Sequence, residues 1–212
     1  MILTILGAPG AGKGTMARQL AKILQIPTIS TGALLRNEIG SGSALGEEID
    51  RLISKGNFVS DEMVSKLLTK RLREPDCQNG YILDGFPRNT AQAENLSQLG
   101  IHLDRALLLD VSNETIISRL AGRRECPHCR ATYHIQYNPP KQDGVCDECG
   151  ASLKIREDDQ PDVISKRLDI YHKETEPLIQ FFNEKDQLVV VHGSESVDDT
   201  VQNALQALGV KL

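Results

Sequence analysis

Residues 7 to 15 read Gly7-Ala8-Pro9-Gly10-Ala11-Gly12-Lys13-Gly14-Thr15, directly behind an apolar run, Ile2–Leu6 (ILTIL). A five-residue apolar run that ends in glycine is a buried strand. The pattern from Lys13 to Leu24 is that of a helix. Between them the glycines let the backbone curl so that several N–H groups point inward, an anion cradle to which the helix N-terminus adds partial positive charge. Lys13 stands where an ammonium would meet the outer phosphates of a triphosphate. The common phosphate-loop pattern places Ser or Thr directly after the lysine; here Gly14 intervenes before Thr15.

Working outward, further apolar runs read as strands at Tyr81–Leu83, Ala106–Val111 and Leu188–His192, with a weaker one at Pro27–Ser30. Helix-like segments separate them at Asp61–Leu72, Thr90–Leu99 and Asp162–Asn183. Strands alternating with helices predict an α/β domain with a parallel sheet, and continuously apolar strands predict helices on both of its faces. Two stretches break the alternation. Residues 30–59 are helical in pattern but cut by glycines, and residues 122–159 are rich in Cys, Pro, Tyr, Gly and Asp, a small β-rich insertion. Both fall at loops of the sheet, where ligand sites and lids are built.

Composition narrows the function classes. The chain has 212 residues and a net charge of −5, which excludes a broad basic face for nucleic acid but leaves room for a local arginine cluster. No run is long enough for a membrane span and no basic segment precedes the first strand, so the expectation is a cytoplasmic protein without membrane partners. With no long apolar face left over, a monomer is expected. Four of the five cysteines form two C-x-x-C pairs, Cys126/Cys129 and Cys146/Cys149. Without a secretory signal, that spacing favours a four-thiolate structural zinc site over disulfides, free thiols or a redox pair. A short insertion buries little apolar surface, and a metal can replace the missing core. Cys77 reads as an incidental thiol.

The loop variant G-x-P-G-x-G-K-G-T, Ser30-Thr31-Gly32 with Arg36, Tyr81–Arg88 (YILDGFPR), Gly122-Arg123-Arg124, Arg156 to Asp159 (REDD) and Arg167 occur here in one order and spacing. Together they resemble the long-lid bacterial adenylate kinases over essentially the whole chain. The resemblance implies a P-loop nucleoside-triphosphate-binding fold: a five-stranded parallel sheet with helices on both faces and two inserted mobile subdomains. The core would be 1–29, 60–121 and 160–212, the monophosphate-binding insertion 30–59, and the zinc-bearing lid 122–159. It also implies a cis bond at Phe86-Pro87.

The same resemblance implies reversible phosphoryl transfer from magnesium-bound ATP to AMP, giving two ADP. Lys13, Arg88, Arg123, Arg156 and Arg167 would neutralise the transferring group, and Asp84 would orient magnesium. Gly10, Ala11, Gly12, Gly14 and Thr15 would hold the ATP phosphates. Arg123, Thr132 and Tyr133 would contact the donor, Tyr133 and the Arg123 stem covering its base, and Glu195 would contribute main-chain groups. Thr31 and Gln92 would contact the AMP base and Arg36 and Arg88 its phosphate. Asn57, Phe58, Val59, Gly85, Phe86 and Pro87 would close that pocket, with Arg156 and Arg167 shared between the substrates. Arg119 reads as an ordinary helix charge, Arg124 as a flanking one, and His134 as a structural or surface histidine.

Overall fold

The computed structural model describes residues 1–54, 59–129, 131–155, 159, 161–194 and 196–210. The strands are β1 (Ile2–Leu6), β2 (Thr28–Ser30), β3 (Tyr81–Asp84), β4 (Arg105–Asp110), β5 (Arg123–Glu125), β6 (Thr132–His134) and β7 (Leu188–His192). The helices are α1 (Lys13–Leu24), α2 (Thr31–Gly40), α3 (Ala44–Ser54), α4 (Asp61–Leu72), α5 (Thr90–Glu94), α6 (Asn113–Gly122), α7 (Pro161–Ile170), α8 (Pro177–Glu184) and α9 (Val197–Ala207). Among the described residues, β2-β3-β1-β4-β7 form one five-stranded sheet whose neighbours all pair in parallel.

Alternation along the central strands divides the core in two. Leu3, Ile5, Ile82, Leu107 and Leu109 face Met16 and Leu20 of α1 and Val201 and Leu205 of α9. Tyr81, Leu83, Ala106 and Leu108 face Leu68 of α4 and Leu178 and Phe182 of α8. Helices therefore cover both faces, which is why the strands read as unbroken apolar runs. The sheet is the P-loop arrangement expected from the sequence, with β1 at its centre feeding the glycine loop and α1.

Two helices are shorter than their patterns suggest. The expected Thr90–Leu99 helix stops at Glu94, and a separate 3₁₀ turn follows at Ser97–Leu99. Asn95 and Ser97 are residues that compete for local backbone bonds, and the break lets both Leu96 and Ile101 enter the core. The expected Asp162–Asn183 helix is interrupted by a π-helical turn at Tyr171–Thr175 and restarts at Pro177. Pro177 has no N–H to continue the ladder, so the preceding turn widens and Glu176 N–H reaches back to the Tyr171 carbonyl at 2.8 Å.

In the insertion after α6, β5 and β6 pair antiparallel, and isolated bridges join Glu125 to Lys154 and Val145 to Ser152. This is the β-rich piece anticipated from composition. Its small core consists of Cys126, Tyr133 and Cys146 with partly buried neighbours.

Candidate active site

The glycine loop spans the C-terminal end of β1 and the start of α1, where a parallel sheet presents its ligand sites. Lys13 folds back over it, donating to the carbonyls of Gly7 at 2.7 Å and Ala8 at 2.9 Å. Burial pushes the Lys13 ammonium down to about 8; Asp84 opposes that shift, and the charges of Arg88, Arg167 and Arg123 add to it. Those three arginines and Asp84 therefore act on the same small volume as the lysine, although they lie far apart in sequence.

Arg119 corrects the reading of it as an ordinary helix charge. From α6 it donates to the Ala11 carbonyl at 2.8 Å and the Ser194 carbonyl at 2.9 Å, stapling the glycine loop to the loop after β7. Both carbonyls it meets lie far from it in the chain, so no local pattern in the sequence marks this role.

Asp84 ends β3 beside the turn at Gly14. A Cβ at residue 14 would lie 3.3 Å from Asp84 Oδ2, so the departure from the common lysine-Ser/Thr pattern makes room for this carboxylate. The next residue, Gly85, has φ +84°, and a Cβ there would meet Thr31 Oγ1 at 2.9 Å. Only glycine suits both demands. Its carbonyl accepts from Thr31 Oγ1 and from Arg88 Nε, each at 2.9 Å. Phe86-Pro87 is cis, as the resemblance implied, and the Phe86 carbonyl is held by Thr4 Oγ1 at 2.7 Å.

Around the second candidate pocket, Arg36 of α2 lies over Gly32, its Nη1 3.3 Å from where a Cβ would stand. Val59, partly buried, precedes α4. Gln92 is 6% exposed, and its amide bonds the Arg88 N–H and Asp61. Thr31, Gly85, Arg88 and Gln92 are thus gathered at the end of β3 by one hydrogen-bonded network.

At the base of the lid, Arg123 grips both carboxylate oxygens of Asp159, with Nε at 2.7 Å from Oδ2 and Nη2 on Oδ1. Arg167 Nη1 approaches the same carboxylate at 3.6 Å. Asp159, the last residue of the REDD motif, is 5% exposed and sits between two cations. Thr132 lies partly buried on β6. The Tyr133 ring, expected to cover a base, turns into the lid core instead, its hydroxyl 3.5 Å from Cys146 Sγ and accepting from Asp147 N–H at 2.8 Å. A short insertion has few large apolar residues, so burying that ring takes precedence. His134 is structural: its Nδ1 accepts from the N–H groups of Gln136 and Tyr137 at 3.0 and 3.1 Å. Asn57, Phe58, Arg156 and Glu195 lie outside the described residues.

The four lid sulfurs lie within 4.8 Å of one another, with Cys126–Cys149 and Cys129–Cys146 at 3.4 Å. Tetrahedral zinc–thiolate bonds of about 2.3 Å require sulfurs about 3.8 Å apart, so the set fits a zinc ion. The Tyr133 hydroxyl and nearby main-chain N–H groups pull the Cys146 thiol down, while burial and bonds to the neighbouring thiols push Cys129 and Cys149 up, so a metal would be what holds all four as thiolates. All four ligand positions would come from protein, leaving none open for chemistry.

The family model for adenylate kinase matches residues 5–187. The chain belongs to the adenylate kinase family. Full-length relatives agree: an adenylate kinase from Caldicellulosiruptor bescii is 46% identical over 215 residues, covering 100% of both chains. One from Acetivibrio thermocellus is 46% identical over 217 residues with the same coverage. A third, from Lachnospira eligens, is 45% identical over 213 residues, 99% of this chain and 100% of its own. Membership in the adenylate kinase family makes the protein a phosphotransferase that binds nucleotides through its P-loop. Among the described residues, no helix is long and apolar enough to cross a membrane.

Proposed function

We propose that the protein transfers the γ-phosphoryl group of magnesium-bound ATP reversibly to AMP, yielding two ADP, as a cytoplasmic monomer. The observation that carries this reading is the placement of Lys13 on the glycine loop, with Asp84 beside Gly14 and Arg88 held on the adjoining Gly85. A phosphate acceptor is already an anion, so no side chain has to remove a proton from it. The protein must hold two polyanions in line and offset the charge on the transferring oxygens. Forked guanidinium donors suit that geometry.

In this mechanism the loop from Gly10 to Thr15 cradles the donor phosphates through main-chain N–H groups, and Lys13 exchanges its two carbonyl partners for phosphate oxygens. Asp84 would hold magnesium, and the metal would supply charge neutralisation for the donor phosphates. Arg36 and Arg88 bind the acceptor phosphate, and Thr31 and Gln92 meet its base. Arg123, Arg156 and Arg167 close on the transferring group, the first and last leaving Asp159 to do so. Thr132 contacts the donor, the groups around Glu195 contribute main-chain contacts to it, and Asn57 to Val59 and Gly85 to Pro87 close the acceptor pocket. Segments 30–59 and 122–159 fold over the core formed by 1–29, 60–121 and 160–212, expelling water that would otherwise hydrolyse ATP. The four cysteines would hold zinc, which would stabilise the lid and take no part in transfer.

The test is a coupled assay with ATP and each of AMP, CMP, UMP and GMP, with and without magnesium. Magnesium-dependent ADP formation selective for AMP is expected. Preference for another monophosphate would keep the chemistry and overturn the base-contact roles of Thr31 and Gln92.

A further inference from the structure

We infer that Asp61 is a positioning residue that sets the preference for adenine by fixing which way round the Gln92 amide faces. This rests on the reading above that Gln92 meets the acceptor base. The Gln92 carbonyl oxygen accepts from the Arg88 main-chain N–H at 2.7 Å. Its amide nitrogen donates to Asp61 Oδ1 at 2.5 Å. The other Asp61 oxygen accepts from Asn89 Nδ2 at 3.4 Å, and Asn89 in turn caps α5 by accepting from the Gln92 N–H at 2.8 Å.

The two ends of a glutamine amide are nearly the same shape, so only its partners decide its orientation. Here one partner can only donate and the other, as a carboxylate, can only accept. Turning the amide over would press NH₂ against N–H and carbonyl oxygen against carboxylate. Once both contacts are made, the amide keeps one N–H and one oxygen lone pair for a ligand. That donor–acceptor pair matches adenine, whose 6-amino group donates beside a ring-nitrogen acceptor. A base with oxygen at position 6 puts an acceptor where adenine has a donor. A locked amide meets that oxygen with its own oxygen, whereas an amide free to turn offers its N–H.

Asp61 lies in the first turn of α4, where a carboxylate also favours the helix N-terminus. Loss of that support would slow all acceptors alike, so the informative readout is a ratio. We would measure kcat/KM for AMP and for inosine monophosphate, with magnesium and ATP, in the unaltered chain, Asp61→Asn, Asp61→Ala and Gln92→Leu. For both Asp61 variants the AMP-to-inosine-monophosphate ratio should fall about tenfold, because a site built on directed hydrogen bonds loses discrimination when the direction is lost. The change should appear in the KM for the acceptor, with the KM for ATP unmoved. An unchanged ratio in both variants, with the two acceptors slowed equally, would overturn the inference. Full preference for AMP in Gln92→Leu would overturn the base-contact role itself and the inference with it.

Discussion

Lys13 makes the free site a proton sensor. Its ammonium is lowered from 10.5 to about 8 by burial. The folded pKa lies below the unfolded one, so between these values the unfolded chain binds the extra proton. The group's contribution therefore rises with pH from 8 to 10.5, and below pH 8 its burial cost is fully present. Triphosphate oxygens beside the ammonium reverse the shift. At pH 9, ATP binding should take up close to one proton, read by titration calorimetry in two buffers of different ionisation enthalpy; Lys13→Met should abolish the uptake. At the neighbouring position, Gly14→Ala would bring a methyl group 3.3 Å from Asp84 Oδ2. The expected result is a several-fold higher magnesium requirement with little change in melting temperature.

Among elements, the π-helical turn between α7 and α8 bears directly on the site. Thr175 at its end donates its hydroxyl to the Arg88 carbonyl at 2.8 Å. Thr175→Val keeps the shape and removes about 1 kcal/mol of hydrogen bonding, so KM for AMP should rise about fivefold while KM for ATP holds. In the lid, a chelator or Cys129→Ser should remove bound zinc and expose 122–159 to protease, leaving the melting of the sheet domain in place. Survival of the lid without metal would refute the structural role. Element positions were legible in sequence wherever local signals agreed: β1, α1, α4 and β7 end where their apolar patterns end. The π turn was hidden because its cause, Pro177, acts on the preceding turn rather than on its own position. Lys13, Asp84 and Arg88 stand out in the sequence because motifs carry them. Arg119, Asp159 and the inward ring of Tyr133 do not, since each is defined by a partner distant in the chain.

For the molecule as a whole, charge and connectivity decide how the parts cooperate. Asp159 neutralises Arg123 and Arg167 at the junction of lid and core. Asp159→Asn would remove the carboxylate that Arg123 and Arg167 share; because both guanidiniums remain partly hydrated, the expected loss is about 1–3 kcal/mol. Denaturant titration should show it as a lower midpoint with an unchanged slope. The central place of β1 has a different consequence. Ile2 pairs with Tyr81 and Leu3 with Arg105, so β1 is flanked by two strands made much later. At a synthesis rate of about 5–20 residues per second, ILTIL waits roughly 4–16 s for Tyr81, its partner 79 positions further on. During that interval both edges of the strand carry open backbone donors and acceptors, and its apolar side chains have no sheet to join. Closure of the sheet therefore waits on residues far along the chain, and β1 has no hydrogen-bonded neighbours until β3 and β4 are in place.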